Sequence, residues 1–418
     1  MNLVRAIRHT VVFVLLIVSG CPLIAQRPIR DLKPTVILIS MDGFRYDYID
    51  KFAPPTISRL AKQGVRAKWM IPSFPTKTFP NHYTVATGLY PQNHGLVENN
   101  VYDFGTVFTM SKFDEVTNPR WWLGEPIWVT AEKQGQHSAS YFFVGTGTEI
   151  AEHLPSYWRH YNGRVPPEMR VDKLLEWLDK PVHERPTMLT LYFSDTDDVG
   201  HEFGPDAEET KYAALNVDRY IERLMSGLRA RRVDKKANVI LVSDHGMAAV
   251  DQRNSVIMDN LFDVDDKKIA DPVLMTGEIW QIFPKPGKED YIIESLKDIK
   301  HATCWRKKDI PSRLHYSEGK RIAPIVCSAD EGWFMTTKKR YDEQKNSPDF
   351  AQVRGAHGYD NRYQSMGATF VAHGPAFKRR YLAEPFANVE VYNVMCKILG
   401  LTPAKNDGNI ANVRGMLR

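Results

Sequence analysis

Four short stretches carry carboxylates and imidazoles at spacings that suit divalent metals. Asp42 stands in Met41-Asp42-Gly43, Asp197 and His201 have D-x-x-x-H spacing, Asp244 and His245 are adjacent, and His357 stands between Ala356 and Gly358. Singly, each has an ordinary explanation as a turn former, a helix cap or a chance match. Together they form a set that suits Zn²⁺, and neighbouring carboxylates can serve two metals. Two metals about 4 Å apart can clamp the attacking and leaving oxygens of an in-line phosphoryl displacement. Beyond Cys21 the cysteines are Cys304, Cys327 and Cys396, with no CxxC pair, so any metal must sit on oxygen and imidazole.

A nucleophile for that chemistry is on offer in Thr76-Lys77-Thr78-Phe79-Pro80-Asn81. A threonine hydroxyl attacks nothing unaided, because its pKa is far too high. Metal coordination lowers it, and a helix beginning near Pro80 would aim backbone N–H groups at the same place. Pro80 suits a first helical turn, where its missing N–H costs nothing. The competing reading is that Thr78 only caps this helix, which closes at Gly88.

The elements that must position these residues are legible as apolar runs ending in polar ones. Thr35 to Ser40, Thr187 to Phe193 and Ala237 to Ser243 each lead directly into one of the acidic stretches. Gly367 to Gly374 and Ser138 to Gly145 read as two further strands. Runs without alternation predict strands buried on both faces. Helical patterns over 54–63, 126–133, 168–178, 207–230 and 389–399 alternate with them. The pattern predicts an α/β fold, a doubly wound, mostly parallel sheet with ligands beyond the carboxyl ends of its strands. Residues from about 250 to 354 break the rhythm and read as a small insertion or cap within one catalytic domain spanning 33–418.

Composition narrows the class. The 418 residues are 43% hydrophobic and 25% charged, with a net charge of +5, two of those positive charges being Arg5 and Arg8. That is too mild for a nucleic-acid duplex partner. Arg5 and Arg8 precede an apolar run from Val11 to Val18, the layout of an export signal and too short for a membrane span. Cleavage after Ala25 is one outcome. The other is a lipobox at Val18-Ser19-Gly20-Cys21, leaving an N-terminal lipid anchor on Cys21. Either way the chain is expected in the periplasm, at the cell envelope or secreted. Cys304 and Cys327 can pair in such an oxidising compartment, leaving Cys396 odd.

In order along the chain, "MDGFR", "KTFPNHYTVATGLYPQNHGLVENN", "DDVGHEFGP", "SDHGM" and "GAHGYD" resemble the nucleotide pyrophosphatase/phosphodiesterase family of the alkaline phosphatase superfamily. The likeness runs from about Lys33 to the C-terminus. It implies two zinc ions and a covalent phospho-threonine intermediate. Carried over by motif, Asp42, Thr78, Asp244 and His245 would hold one zinc; Asp197, His201 and His357 would hold the other. The family's spacing selects Asp197 over Asp195 and Asp198. Asn99, with the Phe79 backbone N–H, would bind a non-bridging phosphate oxygen. His82 and His94 read as structural.

The resemblance also implies a small nucleotide or phosphodiester substrate, cleaved to a nucleoside 5′-monophosphate. Phe79 would line its site, with Tyr157 or Trp158 of "LPSYWRHYNG" as a second stacking aromatic; Tyr161 reads as packing. One departure bears on specificity: Val144-Gly145-Thr146-Gly147 stands where many relatives carry Trp-Pro-Gly-Ser. A choline-lipid headgroup phosphodiesterase is the alternative enzyme. A non-catalytic, metal-stabilised binding protein is the alternative class, although such a degenerate member would lack some ligand, and here none is missing.

Overall fold

The computed structural model describes residues 28–418; the expected leader, with Arg5, Arg8 and Cys21, lies outside the described residues. Only the strands of the main sheet are numbered below.

The first apolar run forms β1 (Val36–Met41), all six residues buried. Val36 and Leu38 enter one apolar core, Ile37 and Ile39 the other, which is why the run shows no alternation. The sheet continues with β2 (Val65–Ala67), β3 (Ser138–Tyr141), β4 (Tyr157–Arg159), β5 (Met188–Phe193), β6 (Asn238–Val242), β7 (Phe370–His373) and β8 (Tyr381–Ala383). Their order across it is β8-β2-β7-β6-β1-β5-β3-β4. The run from β6 to β4 is parallel throughout, whereas β7 lies antiparallel to both β6 and β2. The sheet is therefore mostly parallel, as expected.

Helices cover both faces. Residues of α1 (Pro55–Gln63), α4 (Pro167–Leu178) and α6 (Glu208–Ala230) fill one core. Residues of α2 (Thr78–Thr87), α3 (Ile127–Lys133) and α7 (Glu390–Leu399) fill the other. A short helix, α5 (Asp195–Phe203), follows β5 directly.

This topology sets β5, β1 and β6 side by side, with Ser40 abreast of both Tyr192 and Val242. The three acidic stretches thus leave the sheet at one edge, next to one another. Farther along, Ala270–Met275, Ile279–Pro284, Ile325–Ala329 and Ala302–Arg306 form a separate four-stranded antiparallel sheet around Trp280, Ile282 and Ile292. Cys304 and Cys327 face each other across two of its strands and are disulfide-bonded, while Cys396 is a buried free thiol. Among the described residues no helix is long and apolar enough to cross a membrane.

Candidate active site

Asp42 follows β1 and is buried. Gly43 beside it has φ +63, and a Cβ there would lie 3.0 Å from the Cα of Asp197, so glycine lets the first loop close against α5. Within α5 the D-x-x-x-H spacing becomes i, i+4, and His201 Nε2 lies 3.5 Å from Asp197 Oδ2. His357 Nε2 is 3.6 Å from Asp197 Oδ1 and 3.1 Å from His201 Nε2. After β6, His245 Nε2 lies 2.9 Å from Asp244 Oδ2 and 3.5 Å from Asp42 Oδ1. The His245 and His357 rings stack with centroids 3.5 Å apart, bringing the two sets together.

The hydrogen bonds made by Nδ1 turn the Nε2 atoms of these rings toward the neighbouring carboxylates. Nδ1 of His201 bonds the Gly355 carbonyl at 2.9 Å, that of His245 the Gly246 carbonyl at 2.8 Å, and that of His357 the Thr76 carbonyl at 2.8 Å. A carbonyl only accepts, so each Nδ1 carries a proton and each ring turns its Nε2 inward. His357, kept neutral, sets a lone pair at Nε2 against the Asp197 carboxylate 3.6 Å away, acceptor against acceptor. Asp42 Oδ1, Asp197 Oδ1 and Asp244 Oδ2 are buried without a hydrogen-bond partner. A cation satisfies all of these at once, and the donor set of oxygen and imidazole fits zinc.

Burial dominates the electrostatics of the site. Burial, then the neighbouring charges of Asp244 and Asp197, push the Asp42 carboxyl well above its ordinary value. Burial likewise raises Asp197. Burial and the adjacent His245, Lys77 and His201 drive the His357 imidazole well below its ordinary value, keeping it neutral. The His245–Asp244 pair behaves differently: burial works against both charges, yet each holds the other charged, with the Asp244 carboxyl pushed well below and the His245 imidazole above its ordinary value.

Thr78 is the first residue of α2, not a residue preceding it. Lys77, in extended conformation, ends the preceding chain and makes no side-chain cap, and Thr78 Oγ1 lies 3.4 Å from His245 Nε2. The hydroxyl points at the ligand cluster. His82 braces this turn from beneath, with Nδ1 2.9 Å from the Thr78 carbonyl and Nε2 2.8 Å from Ser40 Oγ. His94 lies within 3.2 Å of the Pro80 carbonyl through Nε2. Phe79 N–H donates to Asn99 Oδ1 at 3.0 Å, so the Asn99 NH₂ group is the part left to donate. The two were expected to donate together; here they are bonded to each other.

From this cluster a mostly apolar cavity of about 420 Å³ opens, walled by Phe79, Val144, Gly147, Tyr161 and Tyr192 among others. Tyr157 and Trp158, expected at the substrate, do not line it. Tyr157 stacks on Trp177 and donates to the Glu184 carbonyl, because its position in β4 turns it onto α4. Trp158 packs edge-on against His160. The wall is supplied by Tyr161, just past the strand, which had read as packing. Tyr192 was also missed; it donates to Asp42 Oδ2 at 2.6 Å. Its signal was a hydroxyl at the carboxyl end of a parallel strand.

The profile of the family "Type I phosphodiesterase / nucleotide pyrophosphatase" matches residues 36–360. Venom phosphodiesterase CdcPDE of Crotalus durissus collilineatus is 38% identical over 94% of the chain and 47% of its own length. Ectonucleotide pyrophosphatase/phosphodiesterase family member 3 of Rattus norvegicus is 36% identical over 92% of the chain and 44% of its own. The chain thus spans about half the length of the curated relatives it matches. Murine ectonucleotide pyrophosphatase/phosphodiesterase 5 superposes with a TM-score of 0.83 at 31% identity, covering 92% of this chain and all of the other. An inactive threonine-to-alanine variant of that murine protein has been solved in complex with AMP, and matches equally well. With its strand-end ligand set and its sequence in agreement, the chain belongs to the type I phosphodiesterase/nucleotide pyrophosphatase family.

Proposed function

We propose that the protein is an exported hydrolase that cleaves phosphodiester or pyrophosphate bonds of small nucleotide substrates, releasing nucleoside 5′-monophosphates. One observation carries the reading: the Thr78 hydroxyl, at the start of α2, faces a cluster of buried carboxylates and imidazoles that could hold metal ions. Asp42, Thr78, Asp244 and His245 would hold one zinc, and Asp197, His201 and His357 the other. Two such ions, when bound, neutralise charge on the attacking and leaving oxygens.

The chain's own residues do the rest. Thr78 Oγ gives up its proton to water and attacks phosphorus in line, its P–O bond forming as the bond to the leaving oxygen breaks; that oxygen takes up a proton from water, and a phospho-threonine results. The first turn of α2 presents backbone N–H groups and its positive dipole end to the phosphoryl oxygens. The Asn99 NH₂ group donates to a non-bridging oxygen, whose charge grows in the transition state. Water then displaces Thr78 from the opposite side, and two in-line steps retain configuration at phosphorus. Phe79 and Tyr161 offer faces for a nucleobase, in keeping with the AMP complex of the murine relative. The Cys304–Cys327 disulfide supports export to an oxidising compartment.

Hydrolysis of p-nitrophenyl thymidine 5′-monophosphate against p-nitrophenyl phosphorylcholine tests the substrate class. Preference for the nucleotide ester supports the proposal; preference for the choline ester keeps the mechanism and replaces the substrate.

A further inference from the structure

Beside the nucleophile lies a buried charge cluster that the chemistry above does not use. Lys77, immediately before Thr78, pairs with Glu278 at 2.5 Å, with both side chains under a tenth exposed. Glu278 sits in the turn joining Ala270–Met275 to Ile279–Pro284, two strands of the antiparallel sheet. The same turn reaches the segment that carries Asn99. The Thr276 hydroxyl, shared with the Ile279 carbonyl, reaches Glu98 Oε1 at 3.2 Å, and Gln281 Nε2, in the strand after the turn, donates to the Asn100 carbonyl at 2.9 Å. Glu98 is fully buried, and its other oxygen accepts from the Asn100 N–H at 2.7 Å. Lys77 also lies across the backbone after His357: a Cβ on Gly358, at φ +121, would stand 2.4 Å from Lys77 Cε.

We infer that the antiparallel sheet positions the nucleophile and its anion-binding partner, through Glu278 to Lys77 and through Thr276 to Glu98. Thr78 and Asn99 lie on separate segments, and the Phe79–Asn99 hydrogen bond is the direct link between them. Each segment is gripped, one residue before the functional group, by the same turn. A buried ion pair is a poor way to gain stability, because desolvation offsets most of the attraction. What it supplies is direction, since a short charged contact fixes the Lys77 backbone and hence the Thr78 hydroxyl that follows. Glu278, Lys77 and Glu98 are positioning residues, and the sheet is part of the catalytic apparatus instead of a passive cover.

The inference rests on the nucleotide phosphodiesterase reading for its kinetic arm, so the test carries a second arm that needs no substrate. The zinc-loaded full chain is compared with Glu278→Gln, Glu278→Asp and the charge-free double variant Lys77→Met/Glu278→Leu. With p-nitrophenyl thymidine 5′-monophosphate, Glu278→Gln is expected to lower kcat by about 10- to 10²-fold with KM and zinc content unchanged, as misplacement of a reacting group does. Glu278→Asp recovers part of the loss. The double variant melts no lower than wild type but keeps the low kcat. In parallel, the Phe79 amide exchanges with solvent about two- to tenfold faster in the double variant, while amides of β1 do not change. Wild-type kcat in the double variant, or unaltered Phe79 exchange, would overturn the inference. A wild-type protein that fails to turn over the ester sinks the functional reading instead, and the exchange arm still decides this one.

Discussion

The Nε2 atoms of His201 and His357 face each other across 3.1 Å, with each ring's Nδ1 proton already committed to a backbone carbonyl. Two lone pairs at that distance repel unless positive charge lies between them. Asp197 reaches the same point with a buried, unpartnered oxygen. A cation placed there would be met by all three residues.

Chelation therefore has two expected consequences. Treatment with a strong zinc chelator abolishes turnover, and added zinc restores it at two ions per chain. It also lowers the melting temperature, because Asp42, Asp197 and Asp244 are left to repel one another. Saturation at a hundred times the dissociation constant is worth about 2.7 kcal/mol of stability, which calorimetry with and without zinc reads.

Asn99 accepts from the Phe79 backbone N–H and, in the proposed mechanism, donates its NH₂ to the phosphate. Asn99→Ala removes both the acceptor for Phe79 N–H and the NH₂ donor, and is expected to lower kcat by about 10²- to 10³-fold with a smaller change in KM. Steady-state kinetics on the nucleotide ester checks this split.

The aromatic walls make separable predictions. Tyr161 borders the cavity, so Tyr161→Ala is expected to raise KM about ten- to hundredfold through lost base stacking. Tyr157 is occupied with Trp177, so Tyr157→Ala leaves KM for the same ester unchanged.

His94 predicts how stability responds to acid. Burial pushes its imidazole down to about 3 from an ordinary 6.5. Between those values the unfolded chain binds a proton that the folded chain refuses, so stability is complete above pH 6.5 and falls as pH drops towards 3. The slope from this one group reaches about 1.4 kcal/mol per pH unit. His94→Gln takes that proton out of the balance, and its melting temperature is expected to fall less steeply than wild type between pH 6.5 and 4.

Much of this site was legible because the chemistry sits where chain pattern is strongest. Asp42, Asp197, His201, Asp244 and His245 each follow a continuous apolar run, and parallel strands deliver their ends to one edge. The direction of β7 was not legible, since an isolated apolar run does not say which way its connection brings it back. The start of α2 was misplaced by two residues because Pro80 suits any position in a first turn. Choosing among Tyr157, Trp158 and Tyr161 required knowing where β4 ends, as one residue's shift exchanges the faces of a strand. The Lys77–Glu278 pair spans 201 positions, and nothing local in either segment points to the other.

The central claim is that Thr78 is the nucleophile, and Thr78→Ala tests it most directly. With purified, zinc-loaded protein and p-nitrophenyl thymidine 5′-monophosphate, the variant is expected to lose at least about 10³-fold in kcat while keeping its fold. Turnover within about tenfold of wild type would contradict the account, because a hydroxyl that can be dispensed with so cheaply does not form the covalent intermediate.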